Sequence, residues 1–174
     1  MNPNNGDANA KATLDKRYPP EAPFDPGAVF STDDGRSIRW ARPTGTAQGL
    51  LWDRGVDMSI RAHSGSGDVN FAATHIHADR ERTALLYVAA EWWARAYLNG
   101  ERLTSDIDPQ LRDECGADFN TFYPTFRAVL KLRAGDNVLL VKQHGGTLGS
   151  AFAGFITRDD DIRVTIDPLP PTQR

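Results

Sequence analysis

Along most of the chain, apolar positions come in short runs or alternate with polar ones, as they do in β-strands. Residues 83–90 (TALLYVAA) form a continuous apolar run, short enough for a buried strand, and residues 138–142 (VLLVK) form another. Their spacing from the other predicted strands is near that of β-sandwiches. Those other strands cover residues 37–41, 69–77, 93–98, 126–132, 152–157 and 162–166. The pattern predicts an all-β fold, a β-sandwich.

The clearest turn is Asn99-Gly100, which joins residues 93–98 to a returning strand through Leu103. A two-residue type I′ hairpin needs positive φ at both central residues, and Asn and Gly tolerate it. Trp92 and Trp93 lie just before this hairpin. Neighbouring strand residues point to opposite faces, so at most one indole faces the core. The other faces solvent, a loop or a ligand.

Helical signals are confined to residues 108–114, where an acidic cap precedes a proline at a first-turn position. This segment lies in a long connection, residues 104–125, that also carries Asn120 and Tyr123. A connection of this length in a compact domain is usually functional. An aromatic ring with amides is typical of a saccharide rim, and the alternative is that the rings hold the loop against the sandwich edge.

The two ends of the chain differ from its middle. Residues 1–17 are rich in Asn, Ala, Asp and Lys without apolar periodicity, and residues 168–174 are rich in proline. We therefore predict a flexible tail over 1–17, one domain over 18–167 and a Pro-rich tail over 168–174. The polar start, residues 1–10, has no apolar segment of a signal peptide in the chain as given.

Charge and composition exclude some function classes. The net charge is −3, from 20 basic and 23 acidic residues, so no basic excess favours nucleic-acid binding. No apolar run approaches the roughly 20 residues that span a bilayer, which argues against a membrane partner. The single cysteine, Cys115, follows two acidic residues that disfavour its thiolate, so we interpret it as structural and not as a nucleophile.

Several of these features, in order, resemble the galactose-binding-domain-like jelly-roll modules of bacterial polysaccharide-active enzymes. Residues 94–101 (ARAYLNGE) are similar to the family's Asn-Gly hairpin, and residues 130–142 (LKLRAGDNVLLVK) to its strand pair around a Gly-x-Asn turn. Gly154-Phe155 resembles its closing strand. The resemblance extends over residues 18–167. It departs from the family at Glu91-Trp92-Trp93, a bend where family members often carry acidic residues.

The resemblance implies a jelly-roll β-sandwich that binds a polysaccharide or oligosaccharide without catalysis. Such a module serves a larger secreted or periplasmic polysaccharide-degrading enzyme, with the catalytic domain as its partner in cis. Aromatic rings stack on sugar rings, and nearby polar groups bond hydroxyls. In this chain the stacking residues are Trp92, Trp93 and Tyr123, and the polar residues are Arg95, Asn120 and Gln143.

Two alternatives remain open at this stage. In the first, the tryptophans fill the core or a docking surface, and the domain packs against a catalytic partner without binding a ligand. In the second, His75, His77, Glu81 and His144 bind a metal in a cupin-like enzyme, since histidines two apart in a strand share a face.

The resemblance also implies a structural calcium ion, which carboxylate and carbonyl oxygens favour. Residues 33–35 (DDG) and 159–161 (DDD) are the acidic clusters that fit such a role. Both are also ordinary turn or loop sequences.

Overall fold

The computed structural model describes residues 10–41, 50–51, 55–57, 69–91, 93–104, 115–116, 126–145, 151–156 and 162–165. Thirteen strands lie in these ranges. They are β1 (Val29–Ser31), β2 (Ser37–Arg39), β3 (Leu50–Leu51), β4 (Gly55–Asp57), β5 (Val69–Ala78), β6 (Arg82–Glu91), β7 (Trp93–Leu98), β8 (Glu101–Arg102), β9 (Cys115–Gly116), β10 (Phe126–Leu132), β11 (Gly135–His144), β12 (Ala151–Ile156) and β13 (Ile162–Thr165).

The strands form two large antiparallel sheets and one small hairpin. The five-stranded sheet has the order β10-β6-β12-β4-β3, and the six-stranded sheet has the order β13-β5-β11-β7-β8, with β9 pairing with β7. Strands β1 and β2 pair with each other. The chain changes sheets between Glu91, the end of β6, and Trp93, the start of β7. The predicted all-β sandwich is confirmed, and the jelly-roll order of its strands stays a prediction.

One apolar core lies between the two sheets. Alternate residues of β5, β6, β7, β10 and β11 enter it, which follows from the period of two along a β-strand. The five-stranded sheet contributes Ala84, Leu86 and Val88 from β6 and Phe126, Ala128, Leu130 and Leu132 from β10. The six-stranded sheet contributes Ile76, Ala78, Ala94, Ala96, Leu98, Leu139 and Val141. The side chains of β5, β7 and β11 that alternate with these core-facing ones point the other way, on what we call the outer face of the six-stranded sheet.

The two turns that carry the family resemblance contact each other. Asn99 has φ 52° and Gly100 has φ 85°, as the predicted type I′ turn requires. The Asn99 side chain accepts from the backbone N–H of Val138 at 2.9 Å and donates to Oδ1 of Asn137 at 2.9 Å. Asn137 is fully buried and also donates to the carbonyl oxygens of Ile76 and Arg133. These amides join the β7–β8 hairpin to the start of β11.

An N-terminal segment covers the outer face, and this differs from the sequence prediction. Residues 1–17 were expected to form a flexible tail, yet residues 10–15 are helical and the Leu14 side chain is buried. A 3-10 turn, Pro19–Glu21, follows. We call residues 10–24 the N-terminal strap. The strap covers Lys142, and the last six residues of β11 are all buried.

Other predictions fall partly or wholly outside the described ranges. The helix expected at residues 108–114, both remaining tail segments and most of the connection over 104–125 lie there. Within the described part of the chain, no helix is long and apolar enough to cross a membrane.

Candidate functional site

Strand β7 places one aromatic and one cationic side chain together on the outer face. Its residues Ala94, Ala96 and Leu98 enter the core. By strand alternation, Trp93 and Arg95 therefore point to the outer face, about 7 Å apart along the strand. The double-tryptophan motif thus supplies at least one indole that the sandwich core does not use.

Trp93 is half-buried at the start of β7. On one side its partner in the register is His144, whose ring meets the indole edge-on at 5.7 Å between centroids. On the other side its partner is Gly116 of β9, which has no side chain to place beside the indole. The indole is thus held in edge-on contact with the histidine.

Arg95 is almost completely buried, with its side chain 2% exposed. Its Nη2 lies 2.8 Å from Oδ1 of Asp15, which belongs to the helical part of the strap. The Asp15 side chain is 55% exposed. The hydrogen bond from Arg95 is the main cause that lowers the pKa of Asp15, and the positive charges of Arg102 and Lys11 act in the same direction.

Lys142 lies directly opposite Arg95 on the neighbouring strand β11 and has no exposed side-chain surface. Its Nζ donates to the carbonyl oxygens of Leu14 and Lys16 at 2.7 and 2.6 Å, and to Oε1 of Glu21 at 2.7 Å. Burial lowers the pKa of Lys142, and the hydrogen bond to Glu21 opposes that effect. All three ammonium protons therefore bind the strap.

Aromatic rings complete the cover over this part of the face. The Tyr18 ring lies 4.6 Å from the Lys142 ammonium and meets the Phe71 ring edge-on at 5.9 Å. Such cation–π contact adds to the stability of a desolvated lysine. Tyr97, two residues beyond Arg95, is half-buried, and burial raises the pKa of its phenol.

Three of the six residues predicted to bind saccharide are described in the structure, and two of these three lie together. Trp93 and Arg95 share the outer face, whereas Gln143 points into the sandwich. There its Oε1 accepts from Nδ2 of Asn70 at 3.1 Å, and its side chain is almost fully buried. Gln143 and Arg95 therefore cannot bond the same ligand. Trp92, Asn120 and Tyr123 lie outside the described residues.

The four residues of the metal hypothesis do not converge. His75 is opposite Val138 of β11, whereas His144 is opposite Val69, six residues along β5 and about 20 Å away. His77 instead bonds Oδ1 of Asp136 through Nδ1 at 2.8 Å. No group of three or more His, Cys, Asp or Glu residues with metal-binding geometry occurs in the described ranges.

The first acidic cluster, residues 33–35, forms the turn between β1 and β2. Asp34 accepts from Nε of Arg36 at 2.7 Å and from the hydroxyl of Thr32, and Gly35 has φ 82°. The Asp34 carboxylate thus holds its own turn together. The second cluster, residues 159–161, is not described, and calcium binding stays a prediction.

The contacts that the strap makes at this site were not predicted from the sequence. Asp15 and Glu21 lie in segments without an apolar pattern, and their partners are more than 70 residues away. One signal was present for Lys142, because a lysine at the end of an apolar run such as VLLVK must find buried partners.

No protein-family model, curated protein or solved structure matches the chain significantly.

Proposed function

We propose that this domain binds carbohydrate without catalysis, on the outer face of the six-stranded sheet around Trp93. It would serve as an accessory module of a larger secreted or periplasmic polysaccharide-degrading enzyme. The observation that carries the proposal is the half-buried indole of Trp93 on the outer face, in edge-on contact with His144. A rigid indole of this kind presents an apolar surface to the C–H face of a sugar ring.

The neighbouring groups add the polar part of such a site. Arg95 is buried two residues away and is anchored by the strap, so its position is fixed before a ligand arrives. Saccharide sites combine stacking with a few polar groups whose positions are set in advance. The strap limits the depth of the face, so we expect weak binding that gains strength from tethering to a catalytic domain.

The test is affinity electrophoresis through gels that contain plant, algal and bacterial polysaccharides, with and without calcium. Trp93→Ala is compared with Tyr87→Ala, a matched control. Tyr87 is also half-buried, but it lies on the five-stranded sheet, where its neighbours Leu86 and Val88 enter the core. We expect Trp93→Ala to weaken binding about tenfold and Tyr87→Ala to leave it unchanged. Equal binding by both folded variants would exclude the Trp93 site.

A second candidate function is docking against a catalytic domain without a glycan ligand. Its support in the described residues is on the β1–β2 hairpin, where Val29 and Ile38 are 61% and 45% exposed although both are large and apolar. They lie on opposite faces of the hairpin and form no continuous patch, so docking is the weaker of the two candidates. The same gels separate the two functions, because a docking module that is folded would not be retarded by any polysaccharide.

A further inference from the structure

Two buried cations lie side by side on the outer face, and each is neutralised by a carboxylate of the strap. Arg95 and Lys142 are direct partners in the β7–β11 register. Asp15 pairs with Arg95, and Glu21 pairs with Lys142. Like charges directly opposite each other in a sheet repel, so the two carboxylates stabilise this arrangement.

The two ion pairs differ in how firmly they are held. The Glu21 side chain is only 11% exposed, and the Lys142 ammonium also binds two strap carbonyl groups. Asp15 makes one ion pair from a side chain that is 55% exposed, at the end of a short helical segment. The Glu21 pair therefore anchors the strap, and the Asp15 pair is the one that a competitor from solution reaches.

We propose that Asp15 occupies the place of a ligand carboxylate, and that this face binds an acidic saccharide of the uronate class. One sugar ring stacks on Trp93, and a carboxylate of the ligand replaces Asp15 at Arg95. The inference rests on the proposed carbohydrate function and adds the substrate class and an intramolecular competitor. Binding exchanges one ion pair for another and involves no covalent step.

The burial of Arg95 explains why the ligand must be anionic. A guanidinium with 2% exposure loses most of its hydration and needs a carboxylate in compensation. A neutral hydroxyl in the place of Asp15 would take away the carboxylate that pairs with the buried guanidinium, and it carries no charge to replace it. The nearby charges of Arg102 and Lys11, which also stabilise ionised Asp15, favour the same choice.

The spacing of the site fits one stacked ring with a carboxyl substituent. Trp93 and Arg95 are about 7 Å apart along one face of β7, as residues i and i+2 of a strand. His144 lies opposite Trp93 on β11 and forms a second wall beside the ring, whereas Lys142, opposite Arg95, stays covered by the strap.

The test compares oligogalacturonate with the same oligosaccharide after methyl esterification, which removes its charge and keeps its rings. Isothermal titration uses wild type, Asp15→Asn and Asp33→Asn. Asp33 is a matched control, because its fully exposed carboxylate pairs with Lys16 at 3.6 Å instead. We expect Asp15→Asn to bind the acidic ligand about tenfold more tightly than wild type, since an intramolecular competitor has been removed. Asp33→Asn is expected to match wild type. Asp15→Ala repeats the test with a second side chain.

The possible outcomes separate this inference from the proposed function. If the neutral ligand binds through Trp93 and Asp15→Asn fails to strengthen acidic binding, the competitor model is wrong and the carbohydrate function stands. Weaker acidic binding by Asp15→Asn would also overturn it, because Asp15 would then belong to the site. If neither these ligands nor the polysaccharide gels show binding to folded wild type, the carbohydrate function itself fails.

Discussion

Arg95 and Lys142 lie directly opposite each other on neighbouring strands, point to the same face and are both almost completely buried. Two adjacent cations in a sheet destabilise it unless negative groups lie close by. Here those groups come from the N-terminal strap, more than 70 residues earlier in the chain. The strap is therefore part of the domain, and its contacts lead to the first prediction.

Replacing Lys142 with methionine is expected to lower the free energy of unfolding by about 3 kcal/mol, because Glu21 then keeps a buried carboxylate without its partner. Urea unfolding measures the change. The double variant Lys142→Met/Glu21→Gln should recover part of the loss, since it removes the uncompensated charge. A Lys142→Met protein as stable as wild type would show that the strap does not depend on this lysine.

The Asn137 side chain is expected to be among the most sensitive polar positions of the fold. Its amide bonds backbone groups of Ile76, Arg133 and Gly135 as well as the Asn99 side chain. Asn137→Ala leaves several of these buried groups unpaired and should cost about 3 kcal/mol. Lys131→Ala, at an exposed position of β10, serves as the control and should change stability by less than about 0.5 kcal/mol. Similar urea midpoints for the two variants would contradict this role.

At Asn99, backbone conformation and side-chain bonding can be separated by two substitutions. The residue has φ 52°, in the left-handed region. Both Asn99→Gly and Asn99→Ala lose the bond to the N–H of Val138, but only alanine adds a backbone cost of roughly 1–2 kcal/mol. Thermal or urea unfolding should therefore rank glycine above alanine and both below wild type. The opposite order would mean that this turn does not have the type I′ geometry.

The Asp15–Arg95 ion pair is expected to make stability depend on pH in the acid range. Arg95 lowers the folded-state pKa of Asp15 below its ordinary 3.8, so the carboxylate ionises more readily in the folded protein. The stability from this pair is present above pH 3.8 and is lost as the pH falls through the lowered pKa. Asp15→Asn lacks this contribution at every pH. The difference between the two proteins in urea midpoint should therefore shrink below pH 3.8, and a constant difference would argue against the ion pair.

The sequence was sufficient for the parts of the fold that depend on local patterns. The apolar run at residues 83–90 lies within β6, and the run at residues 138–142 lies within β11. The Asn-Gly dipeptide has the positive φ angles that its composition predicts. In each case neighbouring residues alone determine the local structure, through strand periodicity or turn conformation.

The site depended on contacts that no local pattern encodes. The strap has only Ala10 and Leu14 as buried apolar residues in its helical part, too few to show a periodicity. Its position depends on bonds to Lys142, 121 to 128 residues away. The inward orientation of Gln143 could have been predicted from the sequence. Leu139 and Val141 enter the core, and a residue two positions further along the strand shares their face.

Trp93 is the residue at which saccharide is proposed to bind. The most direct test follows the indole N–H signals by NMR as saccharides are added, first oligogalacturonates, then neutral gluco-, xylo- and galacto-oligosaccharides. The Trp93 signal is assigned by its loss in Trp93→Phe, and the Trp40 signal, from a cluster beside Phe24 and Phe30, is the internal control. We predict that the Trp93 signal moves and saturates while the Trp40 signal stays in place. Movement of Trp40 without Trp93, or no movement with any saccharide, would contradict the claim.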